Sequence, residues 1–241
     1  MFVLLKIKKL IIKLLTCIIL DKPIRKNVRN FLYYFSVKDF IKFKRQDFYV
    51  VSLGNNCLPR LLTTVIRLKP RKFYGEKTLP FDLCNTRSIN VISKFIKTDF
   101  ANYFNEIYID KYTYPHDYQL SKSDFKIRYE QRIRNFLNIL KSDKKIYFIY
   151  SNFNDIVNQN DILNLYDTLL IKRKEKPFEL IILSKNKIEN IKNKNIHQIN
   201  IDFCIDDNDW VVFMLNEYGN LNNKYTNFSK IVGDELKNII K

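Results

Sequence analysis

Short apolar runs alternate with amphipathic segments along most of the chain. Four runs rich in β-branched and aromatic residues have the length of buried strands, and they lie at 48–53, 144–150, 178–183 and 196–201. Helical spacing of apolar residues follows the first run and recurs at 88–100, 125–140, 161–172, 210–219 and 230–240. Because strands separated by helices need crossover connections, this pattern predicts an α/β fold with a mainly parallel sheet covered by helices on both faces.

The N-terminal segment has a different pattern. Residues 1–20 read MFVLLKIKKLIIKLLTCIIL and predict an amphipathic helix with Lys6, Lys9 and Lys13 on one face. Lysines interrupt the apolar run, so a bilayer-spanning helix is not expected, and no cleavage site indicates a signal peptide. Two interpretations stay open: residues 1–22 lie in the plane of an anionic membrane surface, or they pack on the protein's own core.

We place the domain boundary before the first strand. Residues 24–45 are basic and rich in aromatic residues, as expected for a helix and linker. The predicted organisation is therefore a basic, amphipathic helical extension at 1–47 and an α/β domain at 48–241.

Composition narrows the classes of function. The 241 residues carry 42 Lys and Arg against 25 Asp and Glu, a net charge of +17, but the charge is spread along the chain and nucleic acid is not the expected partner. The four cysteines show neither CxxC nor zinc-type spacing, so no disulfide scaffold or metal site is predicted. No glycine-rich nucleotide motif is present, and we expect no cofactor. These features predict a cytoplasmic location, either free or peripheral at the inner face of the membrane.

The loop after the first strand contains the most informative cysteine. In open α/β sheets the working crevice lies beyond the carboxyl ends of the strands, and Asn55, Asn56 and Cys57 follow the first of them. Cys57 lies at the start of a predicted helix, where free N–H groups and the helix dipole stabilise a thiolate. It is either a nucleophile or a small buried apolar residue.

A thiolate nucleophile needs a base, and the chain has two histidines. His197 has the same parity as Ile199 and Ile201 in a predicted strand, which indicates a histidine packed on one face of the sheet. His116 lies in the loop-like segment Tyr-Pro-His-Asp, where its ring can point into a cleft or simply into solvent.

Four sequence segments together resemble a known family. They are VVSLGNNC at 50–57, LPFDL at 79–83, YPHD at 114–117 and RYEQRIRNFL at 128–137. The bacterial family of papain-like cysteine peptidases, a domain of otherwise unknown function, shows S-L-G-x-x-C after a strand, a P-F-D-W box, a His-Asp pair and an arginine-bearing helix. The resemblance covers about residues 48 to 155, and Leu83 stands where the family has Trp.

The resemblance implies a Cys/His hydrolytic centre with Cys57 as nucleophile and His116 as base. A third group orients the imidazole in such centres, and Asp82 is our first choice and Asn152 our second. Asp82 is otherwise a structural carboxylate that caps a helix or pairs with an arginine. Arg132 either binds an acidic group of the substrate or pairs with structural carboxylates of the protein itself.

Two functions from different classes follow. The first is a cysteine hydrolase or acyl-transfer enzyme acting on a peptide, acyl or glycan substrate, with Asn55, Asn56 and the neighbouring backbone N–H groups at the oxyanion. The second is a non-catalytic α/β protein at the cytoplasmic membrane face that assists surface-polysaccharide assembly. The distance between Cys57 Sγ and the His116 ring distinguishes them.

Overall fold

A computed structural model describes residues 2–54, 56–86, 88–152, 157–188, 191–201 and 225–240. The predicted helix at 210–219 and the predicted site residue Asn55 lie outside these ranges. The chain divides into two compact units, Met1–Gln46 with Pro70–Glu76, and Asp47–Lys69 with Lys77–Lys241. The domain boundary that we placed after residue 47 stays a prediction.

The smaller unit is helical. It contains α1 (Phe2–Leu15), α2 (Lys22–Tyr34), α3 (Val37–Arg45) and a short 3-10 helix at Lys72–Tyr74. Ser36 separates α2 from α3, since its side chain caps α3 by accepting a hydrogen bond from the backbone N–H of Asp39. The basic segment 24–45 is thus two helices. Within the described residues no helix has the length and apolar character needed to cross a membrane.

The described strands of the larger unit form one parallel sheet of four strands. They are β1 (Phe48–Ser52), β2 (Lys145–Asn152), β3 (Phe178–Ser184) and β4 (Ile196–Asn200), and they are hydrogen-bonded in chain order. The predicted parallel α/β fold is confirmed. Strand β2 runs two residues further than the pattern predicted, so Ser151 and Asn152 belong to the strand and not to the turn after it.

Six helices are described in the larger unit. They are α4 (Leu58–Val65), α5 (Ile89–Lys97), α6 (Tyr103–Glu106), α7 (Lys122–Lys141), α8 (Gln159–Arg173) and α9 (Tyr225–Ile239).

Alternating strand residues build a separate core on each face of the sheet. Val51, Phe148 and Leu180 pack with apolar residues of α5, α7 and α8 on one face. On the other face, Tyr147 and Ile181 pack with apolar residues of α4 and α9. Because both faces are covered, the strands are apolar on both sides, as their sequences indicated. The polar residues at the carboxyl ends of the strands are left at the sheet's edge, where loops gather.

Candidate active site

Cys57 lies in a tight connection between β1 and α4. The backbone leaves β1 through Gly54, whose φ of +89° is a conformation that side chains with a Cβ rarely adopt. The Asn56 side-chain oxygen then accepts hydrogen bonds from the Leu58 backbone N–H (2.9 Å) and from Ser151 Oγ at the end of β2 (3.1 Å). These contacts fix the loop to the sheet and place the buried Cys57 directly before the first residue of α4.

The structure brings His116 to this cysteine. Cys57 Sγ and His116 Nε2 are 3.6 Å apart, although the two residues are 59 positions apart in sequence. Cys57 is buried, whereas His116 is exposed to solvent on the outer side of the pair. In the described part of the chain, the cysteine is the one hydrogen-bonding group that faces the ring.

Burial dominates the acidity of the cysteine. It raises the pKa of Cys57 to about 11, because the charged thiolate loses solvation; the Arg60 charge lowers this pKa and the Asp82 charge raises it. The helix N-terminus alone would lower this pKa and favour a thiolate, but here burial has the larger effect and in the opposite direction. A thiol with this pKa keeps its proton at neutral pH.

Asp82 is fully buried beside this site, but its oxygens face other groups. Oδ1 accepts a hydrogen bond from Lys69 Nζ at 2.7 Å, and Oδ2 accepts one from the Leu79 backbone N–H at 2.7 Å. Arg60 Nε, on α4, lies 3.7 Å from Oδ2. The orienting bond to His116 that we expected from Asp82 is not among these contacts. The carboxylate instead connects the turn at 79–82 to α4 and to the segment that follows it.

Asp117 holds the loop that carries His116. Its buried carboxylate accepts hydrogen bonds from Arg132 Nη1 (2.6 Å), from Tyr129 Oη (3.1 Å) and from Arg128, all on α7. Burial raises the pKa of Asp117, but the Arg132 charge and the hydrogen bonds from all three partners outweigh burial and lower it. Asp117 thus attaches the turn that carries His116 to α7, and the periodic arginines of α7 next to a His-Asp pair are the signal that could have indicated this contact.

Arg132 is the buried partner of Asp117 in this ion pair. Its guanidinium is buried against Asp117 and lies over the Tyr129 ring, 4.4 Å from the ring centroid. Of the two roles that we considered for Arg132, the structure shows the contact with a carboxylate.

Asn152 and His197 lie on strands of the sheet. Asn152 is buried at the end of β2, next to Ser151 and in register with Ser184 of β3. His197 is half-buried on β4, and its Nε2 lies 2.8 Å from a carboxylate oxygen of Glu179 on β3. His197 therefore lies on a different strand from the one that leads to the cysteine, facing a carboxylate of the sheet.

The site is a cysteine and histidine pair at the carboxyl edge of a parallel sheet. Such a pair can attack an electrophilic carbon and transfer a proton. Among the described residues, no cluster of three or more His, Cys, Asp or Glu side chains is arranged to hold a metal ion. Comparison of the chain with family models, with curated proteins and with solved structures gave no match.

Proposed function

We propose that this protein is a cysteine hydrolase or acyl-transfer enzyme in which Cys57 is the nucleophile and His116 the general base. The observation that carries the proposal is the 3.6 Å contact between Cys57 Sγ and His116 Nε2. A nucleophile and its base need to lie within hydrogen-bonding reach, and such contacts are often long before substrate binds. Their place at the carboxyl ends of β1 and β2 is where α/β folds hold their ligands.

The raised pKa of Cys57 determines the order of proton transfer. As Sγ attacks the carbonyl carbon, His116 Nε2 takes the thiol proton, and a sulfur–carbon bond replaces the carbonyl π bond. The backbone N–H groups of the loop at 55–57, next to Sγ, stabilise the oxyanion. The imidazolium then protonates the leaving group as its bond to carbon breaks. Water attacks the thioester, His116 takes a proton from that water, and release of the acid restores the thiol.

Membership of the papain-like cysteine peptidase family is part of this proposal. Its support is that the motif-bearing segments contact one another. The loop with Cys57 meets His116, the Asp-bearing turn at 79–83 contacts α4, and α7 binds Asp117. These contacts account for why four separated segments belong to one site. Peptide, acyl and glycan substrates all stay open.

An activated ester tests the nucleophile directly. Protein mixed with a 4-nitrophenyl acyl ester should release nitrophenol and gain one acyl group at Cys57. Quenching in acid within the first turnover traps this group before water removes it, and intact-protein and peptide mass spectrometry detect it. Cys57→Ala should abolish this adduct, and His116→Gln should slow its formation about 100-fold or more, which is the usual contribution of a general base. Cys17, which is free and exposed, provides the internal control for unassisted thiol chemistry. Adduct formation on Cys57 no faster than on Cys17 would favour a non-catalytic binding protein.

A second proposed property is attachment to an anionic membrane surface through α1. Leu10, Leu14 and Ile18 are 60%, 63% and 81% exposed, whereas Ile12 and Thr16 on the opposite side are buried. The Arg29 side chain of α2 donates a hydrogen bond to Thr16 Oγ1. One side of the segment thus packs within its own unit, and that unit leaves an apolar stripe of the segment uncovered. Exposed apolar surface beside lysines is typical of a helix that lies in the membrane interface.

Vesicle co-sedimentation tests this attachment. The full chain should bind vesicles containing phosphatidylserine and should release in part as salt rises, since each lysine contributes about 1 kcal/mol that salt screens. Deleting residues 1–22 should abolish binding. Leu14→Glu, a change on the exposed stripe, should weaken binding without altering the thermal melt. Aggregation of the truncated protein would place the helix in the core and contradict the membrane assignment.

A further inference from the structure

A cavity of about 460 Å³ lies between the turn at 81–86 and the segment that ends at Tyr114, two residues before His116. Its walls come from the turn after Phe81, from α5 and α6, and from the segment that leads to Tyr114. Phe81, Phe95, Tyr103 and Tyr114 form an aromatic, buried part of its lining. The volume is within the range of sites that bind small molecules or one large group of a substrate.

Two contacts connect this cavity to the loops that carry Cys57 and His116. Thr86 and Phe81 line it and also pack on Gly54, where an added Cβ would lie 3.0 Å from Thr86 Oγ1. Tyr114 lines it and begins the turn that carries His116, since its carbonyl accepts hydrogen bonds from the backbone N–H groups of residues 117 and 118. The cavity therefore adjoins both loops that present the reacting groups.

A pair of hydroxyl groups lies in the lining. Tyr103 Oη and Tyr114 Oη are 3.0 Å apart, and both side chains are buried. Burial raises the pKa of both hydroxyls, so each keeps its proton at neutral pH. Only one of the two hydroxyl protons is used in the hydrogen bond between the tyrosines, and no described residue accepts the other. A buried donor without an acceptor is costly, so an oxygen acceptor on a ligand would be favoured there.

The acidic residues of the lining restrict the charge of that acceptor. Glu106 is paired with Lys94 at 2.6 Å, and Asp110 accepts hydrogen bonds from the backbone N–H groups of Tyr112 and Thr113. Both carboxylates line the cavity in these positions. An anionic group inside the cavity would face two carboxylates, whereas a neutral carbonyl, ether or phenol oxygen would not.

We propose that this cavity binds an aromatic group of the substrate that carries a neutral, hydrogen-bond-accepting oxygen facing the Tyr103 and Tyr114 hydroxyls. This inference rests on the proposed function, because it assigns the cavity to the substrate of Cys57. The aromatic walls stack favourably on an aromatic ring, edge to face or offset.

Chloroacetamide probes with matched arms test the assignment through the rate at which Cys57 is modified. The arms are methyl, benzyl, 4-acetylbenzyl and 4-carboxybenzyl, and mass spectrometry follows the adduct at Cys57. We expect the 4-acetylbenzyl probe to react about tenfold faster than the methyl probe, which corresponds to about 1.4 kcal/mol, and the 4-carboxybenzyl probe to lose that advantage. Equal rates for all four arms would overturn the proposal.

Substitutions locate the effect in the cavity. Val91 lines the cavity and is 39% exposed, so Val91→Trp can fill it without entering the core. This change should reduce the ratio of the 4-acetylbenzyl rate to the methyl rate to about one. Ile127→Trp, on an exposed position of α7 outside the lining, should keep the ratio. Tyr114→Phe should remove the preference for acetyl over plain benzyl, and retention of that preference would contradict the role of the hydroxyl pair.

A binding measurement separates failure of the cavity from failure of the nucleophile. In Cys57→Ala, ligand-observed NMR with 4-methylacetophenone should show binding that Val91→Trp abolishes. If wild-type Cys57 reacts with no probe faster than Cys17 while the ketone still binds, the catalytic proposal fails and the cavity stands. If Cys57 reacts but neither the arm nor the ketone matters, the cavity assignment is wrong.

Discussion

The buried carboxylate of Asp117 allows a quantitative test of how the His116 loop is held. Asp117→Asn keeps the shape of the side chain but removes its charge and one of its two strong acceptor oxygens. Arg132 then stays buried with its charge no longer neutralised, because Asp117 is the carboxylate that it contacts. Arg128 has an exposed side chain and can turn toward water, so losing its bond to Asp117 contributes less to the loss of stability.

The expected cost comes from the two well-buried contacts. Hydrogen bonds to charged groups contribute about 1.5–3 kcal/mol, and breaking a buried ion pair costs about 3–5 kcal/mol when one charge is left alone. Asn can still accept one bond from Arg132, so we place the loss in free energy of unfolding at about 3 kcal/mol. The same change should slow acylation of Cys57, since the turn that carries His116 loses its attachment to α7.

Urea unfolding at several pH values measures this cost. The lowered pKa of Asp117 lies below that of the unfolded chain, so its stabilisation is complete above the unfolded value of about 3.9 and disappears as pH falls through the folded value. The gap between wild type and variant should therefore be full at pH 7 and should shrink below pH 4. Asp234→Asn, an exposed carboxylate paired with Lys237, should cost at most about 0.5 kcal/mol. A gap no larger than this control, or one independent of pH, would refute the reasoning.

Three further predictions concern the loop around the nucleophile. Gly54 and Gly75 both have a φ of +89°, so replacing either with Ala should cost about 1 kcal/mol of backbone strain. Only at Gly54 would the new Cβ also meet a neighbour, so Gly54→Ala should lower the urea midpoint more than Gly75→Ala. Equal shifts would contradict this. In the His116→Gln protein, where only ionised thiol reacts, Arg60→Gln should move the pH dependence of Cys57 alkylation upward, since the Arg60 charge lowers the Cys57 pKa, and an unchanged profile would contradict it. Asn56→Ala should cost about 1 kcal/mol in chemical unfolding, and no loss would show that its two hydrogen bonds are dispensable.

The parallel sheet could be predicted because its information is local. Each strand is a short run of β-branched and aromatic residues, and each crossover is long enough to need a helix. The break at Ser36 was not predicted, although Ser36 and Asp39 have the spacing of an N-cap and a first-turn acid. The longer β2 was not predicted either, because pairing with β3 through Ser184 extends it beyond its apolar run.

The identity of the two central site residues could be predicted from the sequence, but their distance and their environment could not. Position at a helix start and in a loop singled out Cys57 and His116, but the distance between them depends on how the chain between them returns to the sheet. The pKa of Cys57 depends on burial, which sequence position does not report. The partner of Asp82 likewise depends on Lys69, an ordinary surface residue type that this fold buries.

The pH dependence of Cys57 acylation in wild type and in His116→Gln tests the central claim most directly. In the wild type the rate near pH 7 should be well above that of the ionised thiol alone and should rise by less than tenfold per pH unit, because the His116 imidazole takes the thiol proton during attack. In His116→Gln only ionised thiol reacts, and with a pKa of about 11 roughly one part in ten thousand is ionised at pH 7, so the rate should climb about tenfold per pH unit without a plateau. Superimposable profiles for the two proteins would show that His116 does not activate Cys57 and would contradict the assignment of this site.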